Sequence, residues 1–190
     1  MHTKHISLNK ATPGLAQLAL GGGCFWCIEA VFQRVRGVVG LESGYCNGQV
    51  ISPSYEQVCT GTTGHAEVVL VSFDPSIISV EQLLHIFFDV HDATTLNRQG
   101  NDVGTQYRSG IYATQAEQLA QAQAVMDDMQ LAQPALAGRI TTELAMIDGY
   151  TPGEAYHQNY YVNNPNAGYC AFVVAPKVEK FLKTHQQFVA

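Results

Sequence analysis

Five cysteines among 190 residues, at positions 24, 27, 46, 59 and 170, are the side chains most able to do chemistry. An odd count in a chain with no visible export signal argues for thiol chemistry or metal binding rather than a framework of structural disulfides. Cys24 follows Gly21-Gly22-Gly23 and opens a stretch in which Ile28, Val31, Phe32 and Val35 recur at helical spacing, so it stands at a helix start. The thiolate is the nucleophilic form, and the positive end of a helix favours it, so a lowered Cys24 pKa is expected. Phe25 and Trp26, the latter the only tryptophan, lie beside that sulfur. They either line a dry pocket for a small apolar group or plug the core beneath the helix.

Cys24 and Cys27 form a C-x-x-C pair, which reads as a redox dithiol, as half of a zinc site, or as a nucleophile followed by a buried cysteine. Zinc needs two more ligands, no second C-x-x-C follows, and Cys46 and Cys59 stand thirteen apart, a spacing that fits no common knuckle. No metal is therefore expected. Among possible proton donors, Glu29 falls about 140° around an ideal helix from Cys24 and should point away from the thiol. Glu67 differs, because Gly64-His65-Ala66-Glu67-Val68-Val69 is the most apolar strand of the chain. Burial there raises a carboxyl pKa and makes a general acid; a solvated strand face is the competing reading. Tyr55 and Tyr107 flank the segments around that strand, and their phenols can donate to a developing oxyanion. The remaining tyrosines and His157 read as packing residues.

The elements that must position these groups follow from periodicity and punctuation. Strands are expected over residues 15–20, 38–45, 65–73, 107–113 and 141–147. Helices are expected from Cys24 to a stop at Gly37, over 80–91 with Ser79 as N-cap, over 115–130, and after Pro176. The polar stretches 46–54 and 92–105 read as loops, and 149–175 as an irregular tail carrying Cys170. The order β, α, β, β, α, β predicts an α+β two-layer sandwich of split βαβ (ferredoxin-like) type. Its antiparallel or mixed sheet would carry helices on one face and long irregular loops.

Composition bounds the rest. The chain is 46% hydrophobic and 14% charged, which is enough apolar material for a core and too little charge for a disordered segment. One domain over 1–190 is expected, with a flexible N-terminus over 1–14. A net charge of −6 without a basic run argues against nucleic-acid or anionic-membrane binding. No apolar run approaches the roughly 18 to 20 residues of a membrane span, and the first fourteen residues lack an apolar export core, so a cytoplasmic location is expected.

The segment Gly22-Gly23-Cys24-Phe25-Trp26 with Glu29-Ala30 closely resembles the GCFW signature of peptide methionine sulfoxide reductase A. Three further stretches continue the resemblance in order. They are Tyr55-Glu56-Gln57-Val58-Cys59 with 61–68; residues 99–109, from Gln99-Gly100-Asn101-Asp102 to Tyr107-Arg108-Ser109; and a run from Ile140-Thr141-Thr142-Glu143 through His157-Gln158 to Gly168-Tyr169-Cys170. The resemblance implies reduction of the S epimer of methionine sulfoxide, in proteins or free. It implies that Cys24 attacks the sulfoxide sulfur while Phe25 and Trp26 hold the methyl group. Glu67 would protonate the oxygen, Tyr55 and Tyr107 would bond it, and Asp102 would support the pocket. Cys24 would be left as a sulfenic acid, resolved by a second thiol to a disulfide that thioredoxin reduces, with no cofactor besides that donor. Two departures from the usual pattern, Cys27 after the aromatic pair and Cys46 after Tyr45, leave three resolving candidates. Cys170 matches the recycling position and is favoured over Cys27 and Cys46. A dithiol oxidoreductase acting on protein disulfides, or a zinc-binding module, would follow from the C-x-x-C alone.

Overall fold

The computed structural model describes residues 13–190. The expected flexible segment 1–14 lies outside them except for Pro13 and Gly14, which form a turn. A six-stranded mixed sheet organises the chain, in the order β7-β6-β1-β3-β2-β8. Its strands are β1 Ala16–Gly21, β2 Val38–Cys46, β3 Ala66–Phe73, β6 Gly110–Ala113, β7 Glu143–Met146 and β8 Thr151–Pro152. Two-residue strands β4 Arg98–Gln99 and β5 Asp102–Val103 pair as a separate small hairpin inside the expected 92–105 loop. All sheet pairings are antiparallel except β6 with β7, which run parallel.

β3 lies inside the sheet, between β1 and β2, and every one of its residues is buried. That explains its nearly unbroken apolar sequence, since a strand covered on both faces has no solvent side to alternate with. Val69, Val71 and Phe73 join the main core, while Ala66, Val68 and Leu70 join a smaller cluster with Ala19, Cys46 and Tyr112 on the opposite face. The main core also takes the apolar sides of helices α1 Phe25–Phe32, α3 Val80–Val90, α4 Ala116–Ala132 and α6 Ala175–Thr184. Phe32, Phe87 and Phe181 are fully buried there; each contributes roughly 2 to 3 kcal/mol by leaving water. Ser79 caps α3 through a capping box with Gln82, as its placement before Val80 predicts.

Three expectations differ from the fold. Helix α1 ends at Phe32, five residues before Gly37, because residues 34–36 pair with the chain's end instead: Arg36 N–H donates to Phe188 O, Ala190 N–H to Arg34 O, and Val35 bridges Val189. The 46–54 loop is followed by an unforeseen short helix, α2 Tyr55–Cys59, whose Ser54 and Gln57 form a second capping box. Residues 149–175 are more ordered than expected. They hold β8, helix α5 Tyr160–Asn163 and a π-helical turn Cys170–Val174 that runs directly into α6. Cys170, Val174, Val178 and Phe181 form one apolar stripe of that continuous segment, and its burial in the main core fixes it. No helix among the described residues is long and apolar enough to cross a membrane.

Candidate active site

The turn from β1 into α1 delivers Cys24. Gly23 has φ of +86°, and a Cβ there would lie 2.6 Å from the Gln99 side chain, so only glycine fits this corner. Cys24 is the N-cap residue of α1, but its side chain caps nothing. The free donor of the first turn is satisfied from the sheet: Phe25 N–H donates to Glu67 Oε2 at 3.3 Å. Glu67 therefore lies on the helix side of the sheet, next to the cysteine, and is 1% exposed.

Burial, helped by the negative charges of Asp102 and Cys27, pushes the Glu67 carboxyl up to about 8 against the pull of the Phe25 amide. Near neutral pH it is mainly a protonated acid. The Cys24 thiol does not follow the expected direction. Burial pushes it well above its ordinary value; the hydrogen bond with Cys27 and the charges of Cys27 and Glu67 act the same way, opposed by Tyr169. An eight-residue helix with a sealed N-terminus offers less than desolvation removes. Cys27 moves down instead, to about 7, because Cys24 donates to it, with Lys177 and Tyr169 assisting against its burial. The two thiols are thus moved in opposite directions, Cys24 up and Cys27 down.

The aromatic pair sits as a wall. Trp26 stacks on Tyr160 with centroids 3.7 Å apart and planes 7° from parallel, and meets Tyr169 edge-on. Its indole N–H donates to His157 Nδ1 at 3.2 Å. Phe25 is 1% exposed and packs among Trp26, Tyr45 and His157. Phe25 packs into the core, whereas Trp26 is only partly buried.

The Tyr55 ring packs on the same His157, with centroids 4.4 Å apart. Tyr55 begins α2, and its amide donates to Glu154 Oε1 at 2.8 Å, while Tyr45 Oη donates to Glu154 Oε2 at 2.8 Å. One carboxylate thus ties β2 to α2. Tyr107 lies in a 3-10 turn over Thr105–Tyr107 that Arg108 braces, its guanidinium donating to Thr105 O and Gly64 O, each at 3.0 Å. Burial raises both phenols, so they remain donors; the bond with Cys59 and then the charge of Glu67 add to it at Tyr55, and the charges of Glu67 and Asp102 at Tyr107. Asp102, in β5, accepts from Tyr169 Oη at 2.7 Å. Cys24, Phe25, Trp26, Tyr55, Glu67, Asp102 and Tyr107 are thus linked by these hydrogen bonds, ring contacts and charge interactions into one cluster.

The remaining thiols are distributed differently. Cys46 faces the opposite side of the sheet in the smaller cluster. Cys59 is exposed on α2 and hydrogen-bonded to Tyr55. Cys170 is 0% exposed, on the π turn packed against α1, so it occupies a fixed place instead of a reaching tail. Among the described residues, no group of three or more His, Cys, Asp or Glu side chains is gathered as a metal would need.

Sequence reasoning missed four supports: Tyr160, Tyr169, His157 and Glu29. Glu29 does point away from the thiol, but it is 1% exposed, accepting from the amides of Asn159 at 2.8 Å and Tyr160 at 3.2 Å. It holds the left-handed turn at Asn159 (φ 54°) that presents Tyr160 to Trp26. The Tyr156-His157-Gln158-Asn159-Tyr160-Tyr161 cluster was the available signal, since so many aromatics in one polar tail need a surface to pack on.

A family model described as peptide methionine sulfoxide reductase matches residues 16–189. The peptide methionine sulfoxide reductase MsrA of Nitratiruptor sp. is 52% identical over 170 residues, which is 90% of this chain and 96% of that protein. The reduced form of Mxr1 from Saccharomyces cerevisiae superposes with a TM-score of 0.79 at 35% identity, over 85% of this chain and 92% of that one. Mxr1 in complex with Trx2 matches with a TM-score of 0.56 at 25% identity, over 80% and 88% of the two chains. With the family model spanning nearly every described residue and identity above half across nine-tenths of the length, the chain belongs to the peptide methionine sulfoxide reductase family.

Proposed function

We propose that the cluster around Cys24 is the catalytic centre of a peptide-methionine (S)-S-oxide reductase, the activity its family carries. The observation that carries the site assignment is the Glu67 carboxyl, largely protonated at neutral pH and bonded to the residue beside Cys24. Cys24 attacks the sulfoxide sulfur as its thiol proton passes to Cys27, to which it already donates. Glu67 gives its proton to the departing oxygen, and Tyr55 and Tyr107 donate to that oxygen as charge builds on it. The exposed face of Trp26, backed by Phe25, receives the methyl group, and Asp102 fixes Tyr169 at the rim. The protonated oxygen passes to Cys24 as the substrate S–O bond and the transient bond between the two sulfurs break, so the thioether leaves and Cys24 is a sulfenic acid.

Cys170, favoured over Cys27 and Cys46, condenses with that acid, and thioredoxin reduces the resulting disulfide without another cofactor. The complex of the yeast relative with Trx2 supports that donor. Substrates are methionine-S-sulfoxide in proteins, in peptides and as the free amino acid. The chain acts in the cytoplasm as one catalytic domain over 1–190. The order β6-β1-β3-β2, with helices joining the core on one face, supports a two-layer, ferredoxin-like classification for its antiparallel centre.

Cys24→Ser tests the reading. It should abolish reduction of a methionine-S-sulfoxide peptide, and sustained turnover by that variant would overturn it.

A further inference from the structure

An indole N–H can only donate, so the 3.2 Å bond from Trp26 Nε1 to His157 Nδ1 fixes the protonation of the imidazole. Nδ1 is bare, and the proton of the neutral ring sits on Nε2. That Nε2 is buried and has no hydrogen-bond partner among the described residues. Glu154 Oε2 lies 3.8 Å from it, too far for a hydrogen bond but near enough for the carboxylate to favour the tautomer that turns its N–H that way. Both oxygens of Glu154 are themselves held, one by the Tyr55 amide and the other by the Tyr45 hydroxyl. Burial opposes ionisation of Glu154, but the Tyr55 amide, its own amide and Tyr45 outweigh it and keep the carboxyl below its ordinary value. Burial also lowers the imidazole, against the pull of Glu154, so it stays neutral at neutral pH.

The seat of this imidazole is rigid. His157 closes the 3-10 turn Ala155–His157, its amide donating to Glu154 O at 2.9 Å. The next residue, Gln158, clamps the turn to β2: its Oε1 accepts from Ser43 N–H, and its Nε2 donates to Ser43 O and Gly153 O, each at 2.9 Å. The ring centroid lies 5.0 Å from that of Phe25 and 4.4 Å from that of Tyr55. Tyr160, stacked on Trp26, sets the plane of the indole, yet stacked rings slide over one another at little cost. A hydrogen bond to the ring's one polar atom removes that freedom.

We propose that His157 is the positioning residue for the indole that receives the substrate methyl: as the Nε2–H tautomer, seated by Glu154 and the Gln158 clamp, it sets where Trp26 lies within its stack. This rests on the reductase reading of the site. His157 acts through Trp26 and not on the sulfur or the oxygen, so its loss weakens binding of substrate and transition state alike and is read in KM.

Trp26 is the only tryptophan, so nitrogen-15 NMR of the labelled protein gives one indole N–H signal to follow. In wild type at neutral pH the His157 ring should show a bare Nδ1 and a protonated Nε2, with a coupling across the N–H···N bond to Trp26. A protonated Nδ1 in an active wild type overturns the proposal. His157→Phe keeps a ring against Phe25 and Tyr55 but removes the acceptor. It should move the indole signal and raise KM for a methionine-S-sulfoxide peptide by roughly 3- to 10-fold with kcat nearly unchanged. His157→Asn, whose Oδ1 can stand where Nδ1 stood, should bring KM back toward wild type. An unchanged KM in His157→Phe, a fall in kcat at constant KM, or no recovery in His157→Asn each overturns the assignment. The wild-type spectrum and His157→Asn decide the matter if His157→Phe does not fold. A wild type without activity on the peptide overturns the reductase reading itself.

Discussion

Trp26 lies flat on Tyr160, 3.7 Å between centroids, so the indole that we propose receives the substrate methyl is held by a residue 134 positions later in the chain. The stack fixes one face of the ring, and the side chain as a whole stays partly exposed. A stacked aromatic pair is worth about 0.5 to 1.5 kcal/mol beyond its buried area. Tyr160→Ala should therefore raise KM for a methionine-S-sulfoxide peptide by roughly 3- to 10-fold, at 1.4 kcal/mol per decade, with kcat nearly unchanged. Tyr160→Phe should restore the wild-type KM. Steady-state kinetics check both, and an unchanged KM in Tyr160→Ala would remove Trp26 from the binding surface.

The pH profile should be set by two buried groups. Activity needs the Cys24–Cys27 pair to have lost one proton, at about 7, and Glu67 to retain its own, below about 8. The kcat/KM of the free enzyme should thus rise through about pH 7, peak near pH 7.5 and fall above about pH 8. Glu67→Gln should lower kcat/KM by roughly 10²- to 10⁴-fold and remove the alkaline limb. Retention of a falling limb near pH 8 in that variant would assign the limb to another group.

Much of this site was legible because its signals are local. A thiol after three glycines, two adjacent aromatics and one carboxyl within an apolar strand place Cys24, Phe25, Trp26 and Glu67 without knowledge of the fold. The rest depended on distant partners. The start of α2 is signalled by Ser54 and Gln57, but the run of Gly, Asn and Ser before it reads as loop. Helix α1 stops early because of pairing with residues 188–190. Glu29 reads as part of a polar helix side, and only the tail folding over it makes it buried. The direction of the Cys24 shift was misread for the same reason: helix position is visible in a sequence, whereas desolvation is a property of everything that packs around it.

Arg108 should prove a positioning residue for Tyr107. Its guanidinium bonds Glu143 at 2.5 Å, Gly64 O and Thr105 O at 3.0 Å and Asn47 O at 3.3 Å, joining β7, the two loops flanking β2 and β3, and the turn that carries Tyr107. A lysine keeps the charge but cannot reproduce the fork. Arg108→Lys should cost about 2 kcal/mol and lower the melting temperature by roughly 4 to 8 °C. It should lower kcat several-fold with little change in KM, because the phenol acts on the oxygen in the transition state. Calorimetry and kinetics test the two parts separately; a drop in melting temperature with kcat intact would leave Arg108 purely structural.

Glu29 should make the folded protein less stable as pH rises. Burial lifts its carboxyl from the ordinary 4.5 to about 7, despite the amides of Asn159 and Tyr160. Below about pH 4.5 the group is protonated in both folded and unfolded chains. Between 4.5 and 7 the unfolded chain ionises while the folded one keeps its proton, so stability falls with rising pH, by up to about 3 kcal/mol for this group. Above 7 both forms are ionised and the loss is complete. Glu67, lifted to about 8, acts in the same sense and extends the decline upward. Glu29→Gln preserves an oxygen to accept from the Asn159 turn and has nothing to ionise. Urea unfolding at pH 5 and pH 8 should therefore show a smaller difference between the two conditions in Glu29→Gln than in wild type. Equal differences in the two proteins would mean that the Glu29 carboxyl is already ionised beneath the tail at pH 5.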